Sequence, residues 1–253
     1  TLLNPGDEVI AFAPYFGEYR AYVTNYDGVL KVVSPNTETF QPNLEAFEEL
    51  LTEKTKAVIV NTPNNPTGEV YSDEQLAAIA AIAEKHDLLV ISDEVYNTLL
   101  YTGAKFRSIA ELPGMKARTV VVNSFSKSYA MTGWRIGYTA GPTEVIKAMS
   151  SLQSQVASGS NSIAQYAAEE ALRSPKGREA IERMHRAYDE RRRHIVQRLN
   201  AIDGLTCVMP KGAFYVMVDM SALIGKHLGD RQIGGSMDFA DMLLENANVA
   251  LTP

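Results

Sequence analysis

The sequence is short of several things, and each shortage narrows the field. One cysteine, Cys207, among 253 residues rules out an internal disulfide framework and fits a reducing compartment. No uninterrupted apolar run approaches membrane-spanning length, and no signal-peptide pattern opens the chain, so a soluble cytoplasmic protein with no membrane partner is expected. Basic charge is also scarce. With 24 Lys and Arg against 30 Asp and Glu, the net charge is −6, which argues against a nucleic-acid backbone as partner. The densest basic run, Arg191 to His194, lies in a helical pattern rich in acids and reads as a solvated face. The 4 histidines are scattered without metal-ligand spacing, and a hydrolytic metal site on Asp93 and Glu94 finds no further ligands. No G-x-G-x-x-G follows a first strand, so a nicotinamide-binding Rossmann site is unsupported. There is neither an internal repeat nor a low-complexity linker.

What is present is enough apolar residue, 45% of the composition, for a large core in one big domain or one and a half. Apolar runs with strand character, Glu8 to Pro14, Val29 to Val33, Lys56 to Asn61, Leu88 to Ser92 and Thr119 to Val122, alternate with helical spacings as far as residue 92. The helical stretches hold Tyr15, Phe16, Tyr19, Tyr22 and Val23; then Pro42 to Leu51; then a helix to about His86 opened by a capping box of Ser72 and Gln75. This alternation predicts an α/β fold, a mostly parallel sheet sandwiched by helices through right-handed crossovers. From Pro142 to about Asn200 the pattern is helical in at least three pieces, the last, roughly Lys176 to Ile202, long enough to bridge two domains. Strands are expected at Leu205 to Val208, Phe214 to Val218 and Val249 to Leu251, with a helix at Phe239 to Asn246 and a loop at Gly234-Gly235. A large domain over residues 1–175, then a bridging helix and part of a small α/β domain over 176–253, describes the whole. Thr1 stands in TLLNPGDE, which reads as a helix end stopped by Asn4-Pro5-Gly6, and Pro253 follows directly on a strand-like run; both ends read as cut.

In a parallel sheet, ligands gather beyond the carboxyl ends of the strands. Asn65, Asp93 and Ser124 to Lys127 all follow strands, so chain-distant polar groups converge on one edge. The organising stretch is NSFSKSYAMTGWRIG, Asn123 to Gly137, set between TVVV and a second apolar run, Trp134 to Ala140. A lysine buried where two strands meet needs a chemical reason, since desolvation lowers its pKa and makes the amine a nucleophile suited to a Schiff base. Read singly, these residues keep ordinary alternatives. Lys127 could be solvated on a turn, Asp93 a strand-end carboxylate, Tyr96 a core tyrosine, Asn65 a turn residue before proline, Phe16 a helix residue packed on the sheet, and Arg135 one half of a salt bridge.

Taken together, S-x-S-K followed by arginine eight residues on, NPTG, and D-x-x-Y resemble the class I and II aminotransferases of the fold-type I pyridoxal-phosphate enzymes. The order and spacing agree, with Asp93 standing 28 residues after Asn65 and Lys127 another 34 on. PGDEV, PYF, GWRIG, SIAQYAA and KGAFY, the last near the substrate, extend the likeness over nearly the whole chain. The resemblance implies pyridoxal 5'-phosphate as cofactor and amino-acid and 2-oxo-acid substrates at a homodimer interface. Catalysis would fall to Lys127, Asp93 and Tyr96. Lys127 would form the Schiff base and move the proton; Asp93 would pair with the pyridine nitrogen, supported by Tyr19. Asn65, with a cis bond to Pro66, and Tyr96 would reach the phenolic oxygen. Phe16 would stack on the ring, and Ser124, Ser126 and Arg135 would hold the phosphate, Arg135 being buried between Trp134 and Ile136. Two family features fall outside the sequence: a phosphate loop upstream of PGDEV and the downstream arginine that grips the substrate carboxylate. A carbon–sulfur β-lyase of the same fold, or a fragment or sensor domain that binds cofactor without turnover, stand as alternatives.

Overall fold

The computed structural model describes residues 2–101 and 103–253. Its chain divides into two compact units, Thr1–Tyr188 with Pro210–Tyr215, and Asp189–Met209 with Val216–Pro253.

The first unit is built on a sheet of β1 (Glu8–Phe12), β2 (Val29–Val33), β3 (Thr55–Asn61), β4 (Leu89–Asp93), β5 (Thr119–Ser124) and β6 (Gly137–Ala140). Their order is β2-β1-β3-β4-β5-β6, parallel throughout except for the β5–β6 pair. Central strands of a parallel sheet are covered on both faces, so they read as unbroken apolar runs rather than alternating ones. The two faces still separate by parity of position. Ile10, Phe12, Val58, Val60 and Val90 pack on Phe47 of α2 (Leu44–Leu50) and on Leu76, Ile79 and Ala83 of α3 (Asp73–Lys85). Val9, Ala11, Ala57 and Ile59 face the other way, onto Tyr19 and Val23 of α1 (Glu18–Thr24). Each Val, Ile, Leu or Phe side chain so taken from water contributes about 1.5–3 kcal/mol, and this burial is what holds the strand ends in place.

Several expectations need correction. Leu2 to Asn4 are not helical, and Thr1 lies outside the described residues. Tyr15 and Phe16 precede α1 instead of belonging to it. Only half of the capping box on α3 forms. Ser72 accepts the Gln75 amide at 3.2 Å, while Gln75 Oε1 is buried without a partner. The run from Trp134 to Ala140 is no buried strand: β6 is an exposed antiparallel edge, and Trp134 is 47% exposed.

After β5 comes a single turn, α4 (Phe125–Ser128), whose Phe125 packs with Met131 and Ile136 against Ala164 and Ala168. Those alanines belong to α6 (Ser162–Arg173), which follows α5 (Thr143–Ala157). The third helix, α7 (Pro175–Asn200), gives its residues up to Tyr188 to this unit.

The second unit holds the end of α7, the antiparallel pair β7 (Thr206–Cys207) and β8 (Val218–Asp219), the short pair β9 (His227–Leu228) and β10 (Arg231–Gln232), and α8 (Ser236–Ala247). Asn200 clamps Cys207, the second residue of β7, at both its amide and carbonyl, at 2.7 and 3.0 Å. Phe214 to Met217 and Val249 to Leu251 are not strands, and β9 and β10 stand where none was expected. No helix among the described residues is long and apolar enough to cross a membrane.

Candidate active site

The carboxyl ends of β3, β4 and β5 lie side by side. In register, Asn61 faces Asp93 and Asp93 faces Val122, so the polar residues that end these strands arrive together at one edge. They open onto a cavity of about 670 Å³ whose lining includes Phe16, Tyr19, Asn65, Asp93, Tyr96, Ser124, Ser126, Lys127, Arg135 and Tyr215. All eight sequence-predicted site residues, Phe16, Asn65, Asp93, Tyr96, Ser124, Ser126, Lys127 and Arg135, thus border one space.

Asp93 forms the acidic end. Tyr19 Oη donates to its Oδ2 at 2.5 Å, and the Val95 amide donates to its Oδ1 at 3.3 Å. Burial raises the Asp93 pKa above the usual carboxylate value, with these two donors working against that rise. Tyr19 in turn is raised, first by its own burial and then by the Asp93 charge. Phe16 meets Tyr19 edge to face at 5.5 Å, and Tyr15 stacks on it at 6.4 Å. The next acid does not join the site. Glu94, the residue after β4, is buried and accepts from Ser92 and Ser108 at 2.8 and 2.5 Å, so the two consecutive carboxylates enter different surroundings.

Asn65 is placed by a residue that the sequence reading passed over. Asn61 Oδ1 accepts the Asn65 amide at 2.8 Å, and Asn61 Nδ2 donates to the Asp93 carbonyl at 3.0 Å. The Asn65–Pro66 bond is cis. Tyr96 is buried, its hydroxyl 2.7 Å from that of Tyr215, and burial again raises its pKa. Tyr215 belongs to the KGAFY segment, and that motif was the only advance sign of it.

At the basic end, Ser124 caps α4 by accepting the Ser126 amide at 3.1 Å, and the two hydroxyls lie 2.9 Å apart. Lys127 is half-buried rather than buried, its Nζ 5.3 Å from the centre of the Phe214 ring, a cation–π contact. Arg135 is exposed, against the expected burial; its backbone is left-handed at φ 52°, and it donates to the Thr132 carbonyl at 3.0 Å.

The model for "Aminotransferase class I and II" matches residues 1–253, the entire chain. The chain belongs to this family. Among class I and II relatives, the aspartate aminotransferase of Geobacillus stearothermophilus is 44% identical over 257 residues, and the probable aspartate/prephenate aminotransferase of Aquifex aeolicus is 42% identical over 254; each alignment takes in 100% of this chain and 63% of the relative. A double mutant of Thermus thermophilus aspartate aminotransferase superposes with a TM-score of 0.91 at 42% identity, covering 100% of this chain and 63% of the other. The chain therefore spans somewhat under two thirds of the length of the relatives it matches. Its fold, like theirs, is a mostly parallel sheet between helices.

The site's chemistry fits the pyridoxal phosphate expected from the family. A desolvated carboxylate calls for a cation, which a protonated ring nitrogen supplies. Val9, Ala57, Ile59, Ile91 and Val122 give apolar lining where a ring could lie, and two serine hydroxyls and an arginine border the same space as an anion would need.

Proposed function

We propose that this chain carries the cofactor site of a pyridoxal-phosphate-dependent amino-acid aminotransferase, moving an amino group from an L-amino acid to a 2-oxo acid with Lys127 as the covalent anchor. The observation that carries the reading is that a carboxylate, Asp93, and an amine, Lys127, both half-buried, line one cavity with apolar surface between the strand ends. When bound, pyridoxal phosphate supplies an aldehyde that captures amines and a cationic ring that draws electrons from the carbon bearing them.

The chain's residues divide the remaining work. Asp93 would hold the proton on the ring nitrogen, with Tyr19 keeping that carboxylate aimed. Phe16 would pack on the ring, while Asn65 and Tyr96 would donate to the phenolic oxygen. Ser124, Ser126 and Arg135 would hold the phosphate, Arg being suited to a multidentate contact. The Lys127 amine would serve as the base that takes the proton from the substrate α-carbon and gives it back. Aspartate is the amino donor we favour, since it stands in the names of relatives at 42–44% identity. We also place the protein in the cytoplasm, as its lone buried cysteine suits a reducing compartment. A homodimer fits the family, and the exposed side chains of Trp134, Tyr138, Val156, Ile163 and Tyr166 are available to an interface.

The test is a single half-reaction. The chain is loaded with pyridoxal phosphate and given L-aspartate without any oxo acid. Conversion of the visible band with one equivalent of oxaloacetate is expected. Ammonia, pyruvate and a released thiol from an L-cysteine conjugate offered in the same way would point instead to elimination, and an unchanged spectrum with either amino acid would refute both. Lys127→Ala should abolish the visible band and all transfer; retained transfer would remove the lysine from the mechanism.

A further inference from the structure

Tyr96 and Tyr215 share one hydrogen bond between hydroxyls at 2.7 Å, and Asn65 Nδ2 reaches the Tyr215 oxygen at 3.4 Å. A phenol has a single proton to give. If Tyr96 donated to Tyr215, it would have none left for anything in the cavity. The opposite direction frees it, and the Asn65 contact is compatible with that direction: an amide N–H given to the Tyr215 oxygen leaves its O–H free to point toward Tyr96. The resulting chain of donors runs from Asn65 through Tyr215 to Tyr96 and out into the cavity. We propose that Tyr215 is a positioning residue that makes Tyr96 a donor toward the bound ligand, and that the Lys211–Glu69 ion pair fastens the segment carrying it. The tyrosine role rests on the functional reading above, because it requires an acceptor oxygen in front of Tyr96.

The fastening is visible along the whole of Pro210–Tyr215. Lys211 N and Gly212 N both donate to the Gly68 carbonyl, at 3.0 and 2.8 Å. On the other side, Tyr101 N donates to Lys211 O at 2.8 Å and Ala213 N to Leu99 O at 2.9 Å. The segment is thus laced between the NPTG loop and the turn that follows Tyr96. Lys211 Nζ adds an ionic tie, 2.6 Å from Glu69 Oε1, an oxygen that also accepts from Gln41 Nε2 at 2.6 Å. Glu69 is only 5% exposed, so these partners take the place of water around its carboxylate. The Tyr215 ring itself is held edge-on to Tyr96 at 5.6 Å and against Phe214 at 4.8 Å, packing that a phenylalanine would keep.

Two measurements test this. In the first, the visible absorbance of the chain loaded with pyridoxal phosphate is titrated with pH. Donation into the phenolic oxygen draws negative charge away from the neighbouring protonation site, so weaker donation raises the midpoint. Tyr96→Phe sets the full displacement, and Tyr215→Phe is expected to give about half of it, in the same direction, with its ring still packed. Lys211→Met should move the midpoint the same way, and Lys211→Arg should restore it. In the second, which needs no cofactor, amide exchange at Lys211 and Gly212 is expected to quicken at least about fivefold in Lys211→Met and to stay unchanged in Lys211→Arg. A midpoint moved by Tyr96→Phe and untouched by Tyr215→Phe overturns the inference while the functional reading stands. Absence of a visible band in the unsubstituted chain overturns that reading and the tyrosine role together. Unaltered exchange in Lys211→Met overturns the fastening in either case.

Discussion

Tyr19→Phe isolates one hydrogen bond to a desolvated charge. The ring is 6% exposed and would stay packed against Phe16 and Val23, so the substitution removes only the 2.5 Å bond from Oη to Asp93. A hydrogen bond to a charged group is worth about 1.5–3 kcal/mol, against about 0.5–1.5 kcal/mol for a neutral pair. Burial raises the folded-state pKa of Asp93. Its contribution to stability is therefore whole below the pKa of an unfolded-chain aspartate and is lost as pH climbs through the folded value. Tyr19 offsets part of that loss by stabilising the ionised form. Because higher pH favours the ionised form, the substitution should accordingly destabilise the cofactor-free chain more at pH 8 than near pH 4, by about 1.5–3 kcal/mol against roughly half as much. At about 2–4 °C per kcal/mol for a chain of this size, the melting temperature at pH 8 drops by roughly 3–12 °C. Thermal unfolding followed by circular dichroism at both pH values reads this directly. An equal loss at pH 4 and pH 8, or none at pH 8, would refute the claim that Tyr19 acts through the Asp93 charge.

Two further substitutions probe what holds the site. Phe47 is 0% exposed and packs edge-on to Phe12 at 5.2 Å, so Phe47→Ala should cost about 3–5 kcal/mol in urea unfolding, with the slope against denaturant unchanged. Gly68 has φ +70°, and a Cβ there would lie 2.4 Å from Pro210 Cβ and 2.9 Å from Gly212 O. Gly68→Ala combines a left-handed penalty of about 1–2 kcal/mol with overpacking of about 1–3 kcal/mol, so a loss of roughly 2–5 kcal/mol is expected from the same experiment. A loss below about 0.5 kcal/mol would show that the NPTG loop and Pro210–Tyr215 yield easily.

The sheet was legible because its central strands are covered on both faces, and unbroken apolar runs such as AVIV at 57–60 have no other comfortable reading. The convergence of Asn65, Asp93 and Lys127 followed from topology once the strands were parallel, since the carboxyl ends then point one way. Edges and small pairs were harder. The run Trp134 to Ala140 has the composition of a buried strand yet forms an exposed edge, because exposure depends on what covers a face and composition does not record that. The β9–β10 pair has two residues per strand, too few for any periodicity. Burial of Lys127 and Arg135 was overstated for a similar reason: Lys127 lies in the turn of α4 after β5 and Arg135 just before β6, each among apolar neighbours in sequence yet lining the open cavity. Asn61 escaped notice because a strand-end asparagine has no motif; its role comes from facing Asp93 across two strands.

That register, Asn61 opposite Asp93 and Asp93 opposite Val122, restricts how such a chain can drift over generations. Deleting one residue inside β4 would carry the aspartate to the reverse side of the sheet, so insertions and deletions can accumulate only in the connecting loops. The strands behave like the teeth of a gear, able to advance by two positions but never by one.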